Sequence, residues 1–388
     1  MDFESLFDLP IDDLHTPCYL TDARLLQKNT ALLKQIQQET GCKILLAQKA
    51  FSMFAAYPLI RDDLAGTTAS GLYEAKLGRE AFGKEVHVFS PAYTQEDFTQ
   101  LLTLCDHIVF NSFGQWKKYR EQVQHAPRNI SCGMRINPGY AEVETDLYNP
   151  CIPGSRMGVP LEQMEEDGFD GLDGIHFHTM CEQNSDVLER TLDYMLPRFD
   201  KWLKRCKWVN FGGGHHITRP DYDVERLIRC IRRVQEAYGV QVYLEPGEAV
   251  ALNAGYLVAT VLDIVHNGMD IAILDASAAC HMPDVLEMPY RPHILYSGTA
   301  GEKAHTYRLA GNTCLAGDVV GDYSFASPLT EGQRLIFGDM AIYTTCKNNT
   351  FNGMPLPPIW AMDENGTCRE LVKFGYSDFK MRLGRAVD

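Results

Sequence analysis

Short apolar runs alternate with amphipathic segments from residue 21 to about residue 247. Leucine and isoleucine recur near helical spacing in residues 22–40, which predicts a helix. Residues 43–47 follow with the apolar run that is typical of a strand buried on both faces. Similar runs predict further strands at residues 86–90, 107–110, 132–136, 174–178, 208–211 and 241–245. Polar periodic segments between them predict helices, among them residues 186–206 and 223–238.

Seven or eight such units predict a parallel sheet and favour a closed, TIM-like (β/α)8 barrel over an open doubly wound sheet. After about residue 256 the pattern changes, and apolar runs are separated by Gly, Pro and Asn turns without a long helix. These later strand candidates are residues 258–265, 271–274, 304–309 and 334–337. The chain is therefore predicted to be α/β plus β: a barrel over residues 21–255, and a Greek-key or sandwich-like, mostly-β domain over residues 1–20 and 256–388.

Composition narrows the classes of partner. The 388 residues carry a formal net charge of -15, which argues against nucleic acid or an anionic membrane as partner and is compatible with a cationic substrate. No apolar run is long enough to cross a membrane, and residues 1–13 lack the pattern of a secretory signal. The twelve cysteines include no CxxC pair, so we expect reduced thiols in a cytoplasmic protein.

Two patterns at predicted strand ends could carry chemistry. Lys49 closes the first barrel strand, where a desolvated amine could bind an aldehyde; the ordinary alternative is a lysine whose charged end reaches solvent. In "GIHFHTM", His176 and His178 share one face of a strand, where they could bind zinc, offer a flat ring for stacking, or be hydrogen-bonded core histidines. No carboxylate or cysteine in the same element completes a zinc site, so no metal is expected.

The next two predicted strand ends carry a glycine turn and a carboxylate. In "NFGGGHH", three glycines could let backbone N–H groups approach a phosphate, or could simply form a tight turn. They are Gly212, Gly213 and Gly214. In "YLEPGEA", Glu245 could pair with a protonated ring nitrogen or accept hydrogen bonds from local backbone.

One further pattern lies in the predicted β domain. "NTCLAGD" places Cys314 before a glycine turn and Asp318 after it. A partly exposed thiol can donate a proton, although most cysteines are small core residues.

Taken together, these groups indicate a binding site for pyridoxal 5'-phosphate. This cofactor requires an amine for its aldehyde, backbone N–H groups for its phosphate and an anion at its ring nitrogen. The motifs "TPCYLTD", "ASGLYEAKL", "RINPG", "SRMGV", "GIHFH", "FGGG", "EPGE" and "CLAGD" occur in the order seen in one family. The chain resembles the alanine-racemase-like, fold type III pyridoxal phosphate decarboxylases over nearly its whole length.

Several departures from the family pattern indicate a branch within it. Phe51 stands in "QKAFS", Glu248 replaces the usual arginine after "EPG", and Leu315 replaces an acidic residue of the diaminopimelate enzymes. Together with "DMAIYTTCKNNTFNGMPLPPIW", these features resemble the carboxynorspermidine/carboxyspermidine decarboxylases of polyamine biosynthesis.

The resemblance implies roles for individual residues. Lys49 would bind the cofactor aldehyde, His178 would stack on the ring and Glu245 would face the ring nitrogen. The three glycines and Tyr343 would contact the phosphate. Cys314, supplied by the second subunit of a homodimer with shared active sites, would return a proton to the substrate.

The resemblance also implies contacts across the dimer and with the substrate. Arg156 would pair with Asp318 of the other subunit. A polyamine acid would need carboxylates around its cationic tail, and Arg291 could hold its carboxylate or the phosphate. The candidate carboxylates are Glu248, Asp275, Asp284 and Asp318. The alternatives at this point are another fold type III amino acid decarboxylase, an amino acid racemase, a pyridoxal phosphate carrier and a catalytically inactive regulatory homologue.

Overall fold

The computed structural model describes residue 11 and residues 13–384. Residues 1–10 and 12, which belong to the predicted mostly-β domain, lie outside the described residues. The chain divides into two compact units. One is Gln27–Val250, and the other comprises Ala251 onward together with the described residues up to Leu26. Of the helices in the described part of the chain, none is long and apolar enough to cross a membrane.

The described residues contain eighteen β-strands. In chain order they are β1 (Cys18–Asp22), β2 (Lys43–Ala47), β3 (Gly66–Ala69), β4 (Glu85–Phe89), β5 (His107–Phe110), β6 (Ser131–Asn137), β7 (Val159–Pro160), β8 (Gly174–His176), β9 (Trp208–Asn210), β10 (Gln241–Leu244), β11 (Gly255–His266), β12 (Asp270–Leu274), β13 (Gly298–Thr299), β14 (His305–Ala310), β15 (Val319–Phe325), β16 (Arg334–Gly338), β17 (Ile359–Met362) and β18 (Cys368–Val372).

The same part of the chain contains twelve α-helices. They are α1 (Ala23–Thr40), α2 (Tyr57–Ile60), α3 (Leu72–Leu77), α4 (Gln95–Leu104), α5 (Phe113–Gln124), α6 (Ser185–Leu203), α7 (Val224–Tyr238), α8 (Glu248–Ala251), α9 (Ala278–His281), α10 (Asp284–Glu287), α11 (Thr344–Lys347) and α12 (Tyr376–Met381).

Eight parallel strands close the first unit into a barrel. Strands β2, β3, β4, β5, β6, β8, β9 and β10 pair each with the next, and β10 pairs back with β2. The predicted (β/α)8 barrel is therefore confirmed. The sequence missed β3, whose residues Gly-Thr-Thr-Ala are not an apolar run although all four are buried. Between β6 and β8, residues 138–173 form 3₁₀ turns and the short strand β7 in place of an α-helix.

The barrel interior is filled by large side chains that require glycine on neighbouring strands. Trp208 and Tyr243 pack with Leu45 and Val109 in one buried cluster. A Cβ atom added at Gly133 or Gly174 would lie 2.2 or 2.1 Å from the Trp208 ring. Because such distances are far inside van der Waals contact, the indole determines that these two strands carry glycine there.

The second unit is mostly β, as predicted. Its strands follow the order β13-β15-β14-β12-β11-β1-β17-β18, with β16 also paired to β11. The long strand β11 pairs antiparallel with β1, which brings the N-terminal strand into this sheet. Its core contains Leu257, Leu274, Val320 and Phe337, each 0% exposed.

Candidate active site

The residues that follow four of the barrel strands include most of the predicted site. Lys49 follows β2, His178 follows β8, Gly212 to Gly214 follow β9 and Glu245 follows β10. Parallel barrel strands all end on the same face, which is where (β/α)8 enzymes carry their active sites. The closed ring therefore gathers side chains that lie up to about 200 residues apart in the chain.

Lys49 has an amine that gives up its proton more readily than usual. Its side chain is accessible to solvent, but the protein atoms around it lower the pKa of the amine by desolvation. The charge of Arg135 lowers that pKa further, whereas Glu245 and Glu248 oppose the shift. A lowered pKa increases the neutral amine fraction, which is the form that attacks an aldehyde.

Glu245 is an ionised carboxylate with a hydrogen bond on each oxygen. His176 Nε2 lies 3.1 Å from Oε2, and Asn210 Nδ2 donates to Oε1 at 2.8 Å. Burial raises the pKa of Glu245, but interactions with His176 and Asn210 outweigh burial and hold it at about 2. Burial also lowers the pKa of His176. The pair is therefore a carboxylate with a neutral imidazole that donates from Nε2.

His178 presents a neutral ring in a fixed orientation. Its Nδ1 accepts a hydrogen bond from the Gly213 N–H at 2.8 Å, so the ring proton lies on Nε2. Burial, followed by the charges of Lys49 and Arg135, lowers the pKa of His178 well below its usual value. The geometry supplies the flat uncharged surface that stacking on an aromatic cofactor requires.

The three glycines after β9 are required by close backbone approach. A Cβ at Gly212 would lie 2.4 Å from the Phe177 carbonyl oxygen, and one at Gly214 would lie 1.9 Å from that of Met180. Both glycines also have positive φ angles, 70° and 83°. A side chain at either position would therefore displace the backbone that follows β8.

Two amides of this turn have side-chain acceptors within the barrel unit. The Gly212 N–H donates to Asn210 Oδ1 at 2.9 Å, and the Gly213 N–H donates to His178. These two amides thus orient side chains of the site. The turn also leaves a surface free of side chains, and the phosphate contacts predicted for the three glycines stay predictions.

Arg135 belongs to the site, although the sequence analysis gave it no role. It lies in β6, is 3% exposed, and donates to the His178 carbonyl oxygen at 3.4 Å. Its guanidinium carbon lies 4.6 Å from the Phe89 ring centroid, and burial lowers its pKa to about 10. Its buried Nε has no partner among the described residues. The available signal was a charged residue inside the otherwise apolar strand "CGMRIN".

Glu248 and Cys181 also lie in the electrostatic surroundings of Lys49. Glu248 is the first residue of α8, directly after the turn that ends β10, and its charge raises the pKa of the Lys49 amine. Burial, with the charge of Glu248, raises the pKa of the Cys181 thiol to about 12. Glu248 therefore stays a candidate for a cationic substrate, and Cys181 is a protonated thiol.

Cys314, in the mostly-β unit, lies on an exposed loop that is anchored through its backbone. Its N–H donates to Asn352 Oδ1 at 2.6 Å, and Asn352 has a left-handed backbone with φ of 57°. Leu315, the next residue, is 42% exposed. A thiol presented in this way is accessible to a reactant outside its own loop.

Asp318 has a carboxylate that is buried within its own unit. It is 2% exposed and accepts hydrogen bonds from Ser277 Oγ at 2.8 Å, Thr313 Oγ1 at 2.6 Å and the Ala279 N–H at 3.1 Å. With both oxygens hydrogen-bonded, it supports the loop that carries Cys314. These local partners favour a structural role, and the predicted contacts with a substrate and with Arg156 of a second subunit stay predictions.

The remaining carboxylates predicted to bind substrate also have local partners. Asp275 accepts the Thr260 N–H at 2.7 Å. Asp284 forms an ion pair with Lys347, which also pairs with Glu287. One lysine therefore faces two carboxylates, and the substrate contacts predicted for Asp275 and Asp284 stay predictions.

Arg291 and Tyr343 are the other predicted residues of this unit. Arg291 is exposed and donates to the Tyr290 carbonyl oxygen at 3.3 Å. Tyr343 is half-buried and has a φ of 55°, which bulky residues rarely adopt. Strained backbone of this kind often marks functional positions, and the phosphate contact predicted for Tyr343 stays a prediction.

Arg156 borders a cavity of about 600 Å³ in the barrel unit. Its side chain is exposed, and its carbonyl oxygen accepts from Asn111 Nδ2 at 2.7 Å. The cavity lies at the carboxyl ends of β5 and β6, where Asn111, Asn137 and Arg198 also line it. The interface contact predicted for Arg156 stays a prediction.

A second cluster of titratable side chains lies inside the barrel, away from these strand ends. Glu85, His87 and His107 have donor atoms within 4.8 Å of one another. The two imidazole rings are parallel within 7° at 3.9 Å, so their in-plane lone pairs cannot both point at one ion. Lys43 forms an ion pair with Glu85. In this geometry the group is an ion pair beside stacked histidines.

Comparison with known proteins identifies the family. The model of the pyridoxal-dependent decarboxylase C-terminal sheet domain matches residues 18–341. A carboxynorspermidine/carboxyspermidine decarboxylase from Campylobacter jejuni is 41% identical over 382 residues, covering 96% of this chain and 99% of the relative. A carboxyaminopropylagmatine decarboxylase from Synechocystis sp. is 41% identical over 376 residues, covering 96% and 97%.

A solved structure agrees with these relatives. The crystal structure of Campylobacter jejuni carboxynorspermidine decarboxylase with norspermidine has a TM-score of 0.88 and 40% identity, covering 95% of this chain and 100% of that one. These proteins are decarboxylases, so a racemase, a carrier and an inactive regulator are not favoured. The amine of Lys49, the neutral ring of His178 and the ionised carboxylate of Glu245 are chemically compatible with this cofactor, and their individual roles stay predictions. The chain therefore belongs to the family of pyridoxal-dependent decarboxylases, as an enzyme whose cofactor is pyridoxal 5'-phosphate.

Proposed function

We propose that the protein removes CO2 from carboxynorspermidine and carboxyspermidine, giving norspermidine and spermidine. The main observation in its support is that two groups lie at the same end of the barrel: Lys49, whose amine has a lowered pKa, and Glu245, whose carboxylate is ionised. The names of the relatives that are about 40% identical supply the substrate class.

Each site residue has a distinct task in this proposal. Bound pyridoxal phosphate supplies an electron-accepting ring for the carbanion left when CO2 departs. Lys49 would hold the aldehyde through its amine. Glu245 would face the ring nitrogen as a counter-charge, and His178 would offer its ring for stacking. The side-chain-free surface at Gly214 would accommodate the phosphate, and the phosphate contact of Tyr343 is inferred from the family resemblance alone.

Cys314 donates the proton that replaces the carboxylate at the substrate Cα. The exposed position of its loop supports donation into the barrel of a second copy, and so supports a homodimer with shared sites. Arg156 and the cavity beside it would belong to that interface. A Cys314→Ser variant that keeps wild-type turnover and product would contradict this role.

In the barrel, Glu248 would bind the cationic tail of the substrate. Glu248 lies close enough to Lys49 for its charge to raise the pKa of the Lys49 amine. Asp318 is a weaker candidate because its carboxylate is buried and hydrogen-bonded within its own unit. The free thiols of all twelve cysteines support a reducing compartment, and we infer the cytoplasm.

Carboxyaminopropylagmatine is a second candidate substrate, favoured by the Synechocystis relative of equal identity. Its tail ends in a planar guanidinium, whereas the carboxyspermidine tail ends in an ammonium. Purified holoenzyme should be assayed for CO2 release with carboxynorspermidine, carboxyspermidine, carboxyaminopropylagmatine and diaminopimelate. The proposal expects the first two to have the highest kcat/KM. A higher kcat/KM for carboxyaminopropylagmatine would make that compound the proposed substrate. CO2 release from diaminopimelate alone would refute the proposal.

A further inference from the structure

The carboxylate of Glu245 is held by two side chains from the adjacent strands. His176 in β8 and Asn210 in β9 are register partners, and Asn210 is also paired with Tyr243, two residues before Glu245. One donor reaches each oxygen, at 3.1 Å from His176 and 2.8 Å from Asn210. The carboxylate plane is therefore fixed from two strands at once.

The orientation of the Asn210 amide is determined by its surroundings. The Gly212 N–H donates to Asn210 Oδ1 at 2.9 Å, so this atom is the oxygen. The amide nitrogen must then face Glu245 Oε1, to which it donates. A network in which each group has one possible role is more rigid than a single hydrogen bond.

His176 has no other polar partner among the described residues. It is 2% exposed, its Nδ1 is buried without a hydrogen bond, and its ring stacks on that of Phe89 with centroids 5.6 Å apart and an interplanar angle of 21°. Phenylalanine at this position would satisfy the packing without leaving a buried Nδ1 unpaired. The polar function of His176 is thus directed at Glu245 alone.

We propose that His176 and Asn210 are positioning residues that keep Glu245 ionised and aimed at the cofactor ring nitrogen. This inference rests on the proposed ring-facing role of Glu245. Without the two donors, a buried carboxylate would take up a proton more easily and would rotate. The ring nitrogen would then lose its counter-charge, and pyridoxal phosphate would bind less tightly.

The test compares four purified proteins: wild type, His176→Phe, His176→Gln and the control His216→Phe. His176→Phe keeps the ring packing and removes the donor, whereas His176→Gln retains an N–H donor. His216 is 8% exposed, and neither of its ring nitrogens has a hydrogen-bond partner in the described structure, so its replacement tests the loss of a buried imidazole. Dissociation constants are measured for pyridoxal phosphate and for an analogue whose ring nitrogen is replaced by carbon.

We expect about 10- to 100-fold weaker pyridoxal phosphate binding by His176→Phe, the usual effect of one hydrogen bond to a charged group. His176→Gln should lie within about threefold of wild type. The carbon analogue should bind wild type and His176→Phe equally, because it offers no ring nitrogen. In an absorbance titration, the ring-protonation change of bound cofactor should shift to lower pH by about one unit in His176→Phe.

Other outcomes would overturn the inference. Equal pyridoxal phosphate affinity and an unshifted titration in His176→Phe would show that the donor has no effect on the cofactor. An equal loss of affinity for the carbon analogue would indicate a packing role only. If His176→Phe does not fold, wild-type affinity in Asn210→Leu would refute the two-donor arrangement. A wild-type protein that binds both cofactors equally would instead refute the ring-facing role of Glu245.

Discussion

Replacing Asp318 separates a structural role from a substrate-binding role. The carboxylate accepts hydrogen bonds from Ser277, Thr313 and Ala279 and is almost fully buried. Asp318→Ala would leave three donors without an acceptor. Removing one partner from a buried charged network typically costs about 3–5 kcal/mol. Asp318→Asn keeps the shape and one acceptor oxygen, so we expect a smaller loss of about 1–3 kcal/mol.

The stability of the mostly-β unit should be measured by urea unfolding, followed by fluorescence. Asp322→Asn is a matched control, since Asp322 forms a surface pair with Arg308 and is 35% exposed. Surface pairs contribute about 0–1 kcal/mol, so the control should unfold close to wild type. The expected ranking of the urea midpoints is wild type, Asp322→Asn, Asp318→Asn and Asp318→Ala, in falling order.

Steady-state kinetics complete the comparison. A structural Asp318 predicts a lower kcat in Asp318→Asn, because the Cys314 loop loses its support, with KM changed by less than about threefold. The opposite pattern would refute the reasoning: unchanged urea unfolding together with a KM raised tenfold or more would mean that Asp318 contacts the substrate. In that case the carboxylate of Asp318 would be accessible to the substrate in the active enzyme.

Three further predictions follow from the site and the core. Lys49→Ala should abolish both turnover and the absorption band of the bound cofactor, measured by CO2 release and spectroscopy; residual turnover would exclude Lys49 as the essential amine. Gly214→Ala should destabilise the barrel by at least about 3 kcal/mol in urea unfolding, because its Cβ would lie 1.9 Å from the Met180 carbonyl oxygen and its φ is 83°; a wild-type midpoint would show that the turn can move. Burial lowers the pKa of His215 and of His281 to about 4 in the folded protein, whereas the same imidazoles in the unfolded chain have a pKa of about 6.5. Below about pH 6.5 the unfolded chain therefore binds more protons than the folded protein. Stability should therefore be full above about pH 6.5 and fall towards pH 4, by about 2 kcal/mol per histidine at pH 5, and a urea midpoint equal at pH 5 and pH 7 would contradict this.

The sequence by itself determined the local features of this protein. Apolar runs predicted β2 and β5 with their observed bounds, and the turn residues after β9 and β10 indicated where chemistry could lie. These signals are local, since strand periodicity and glycine turns depend on neighbours in the chain. The ordered motifs then indicated the family. Strand β3 was missed because its buried threonines and glycine do not form an apolar run.

Only the tertiary structure decided which polar groups were available for function. Asp318 follows a glycine turn and Glu245 precedes one, so the two look alike in the sequence. In the structure, the carboxylate of Asp318 supports its own loop, whereas that of Glu245 is hydrogen-bonded at the end of a barrel strand. Their partners lie 41 and 69 residues away, at Ser277 and His176. Whether a carboxylate stays ionised and free to act depends on burial and on such distant donors, and a one-dimensional pattern contains neither.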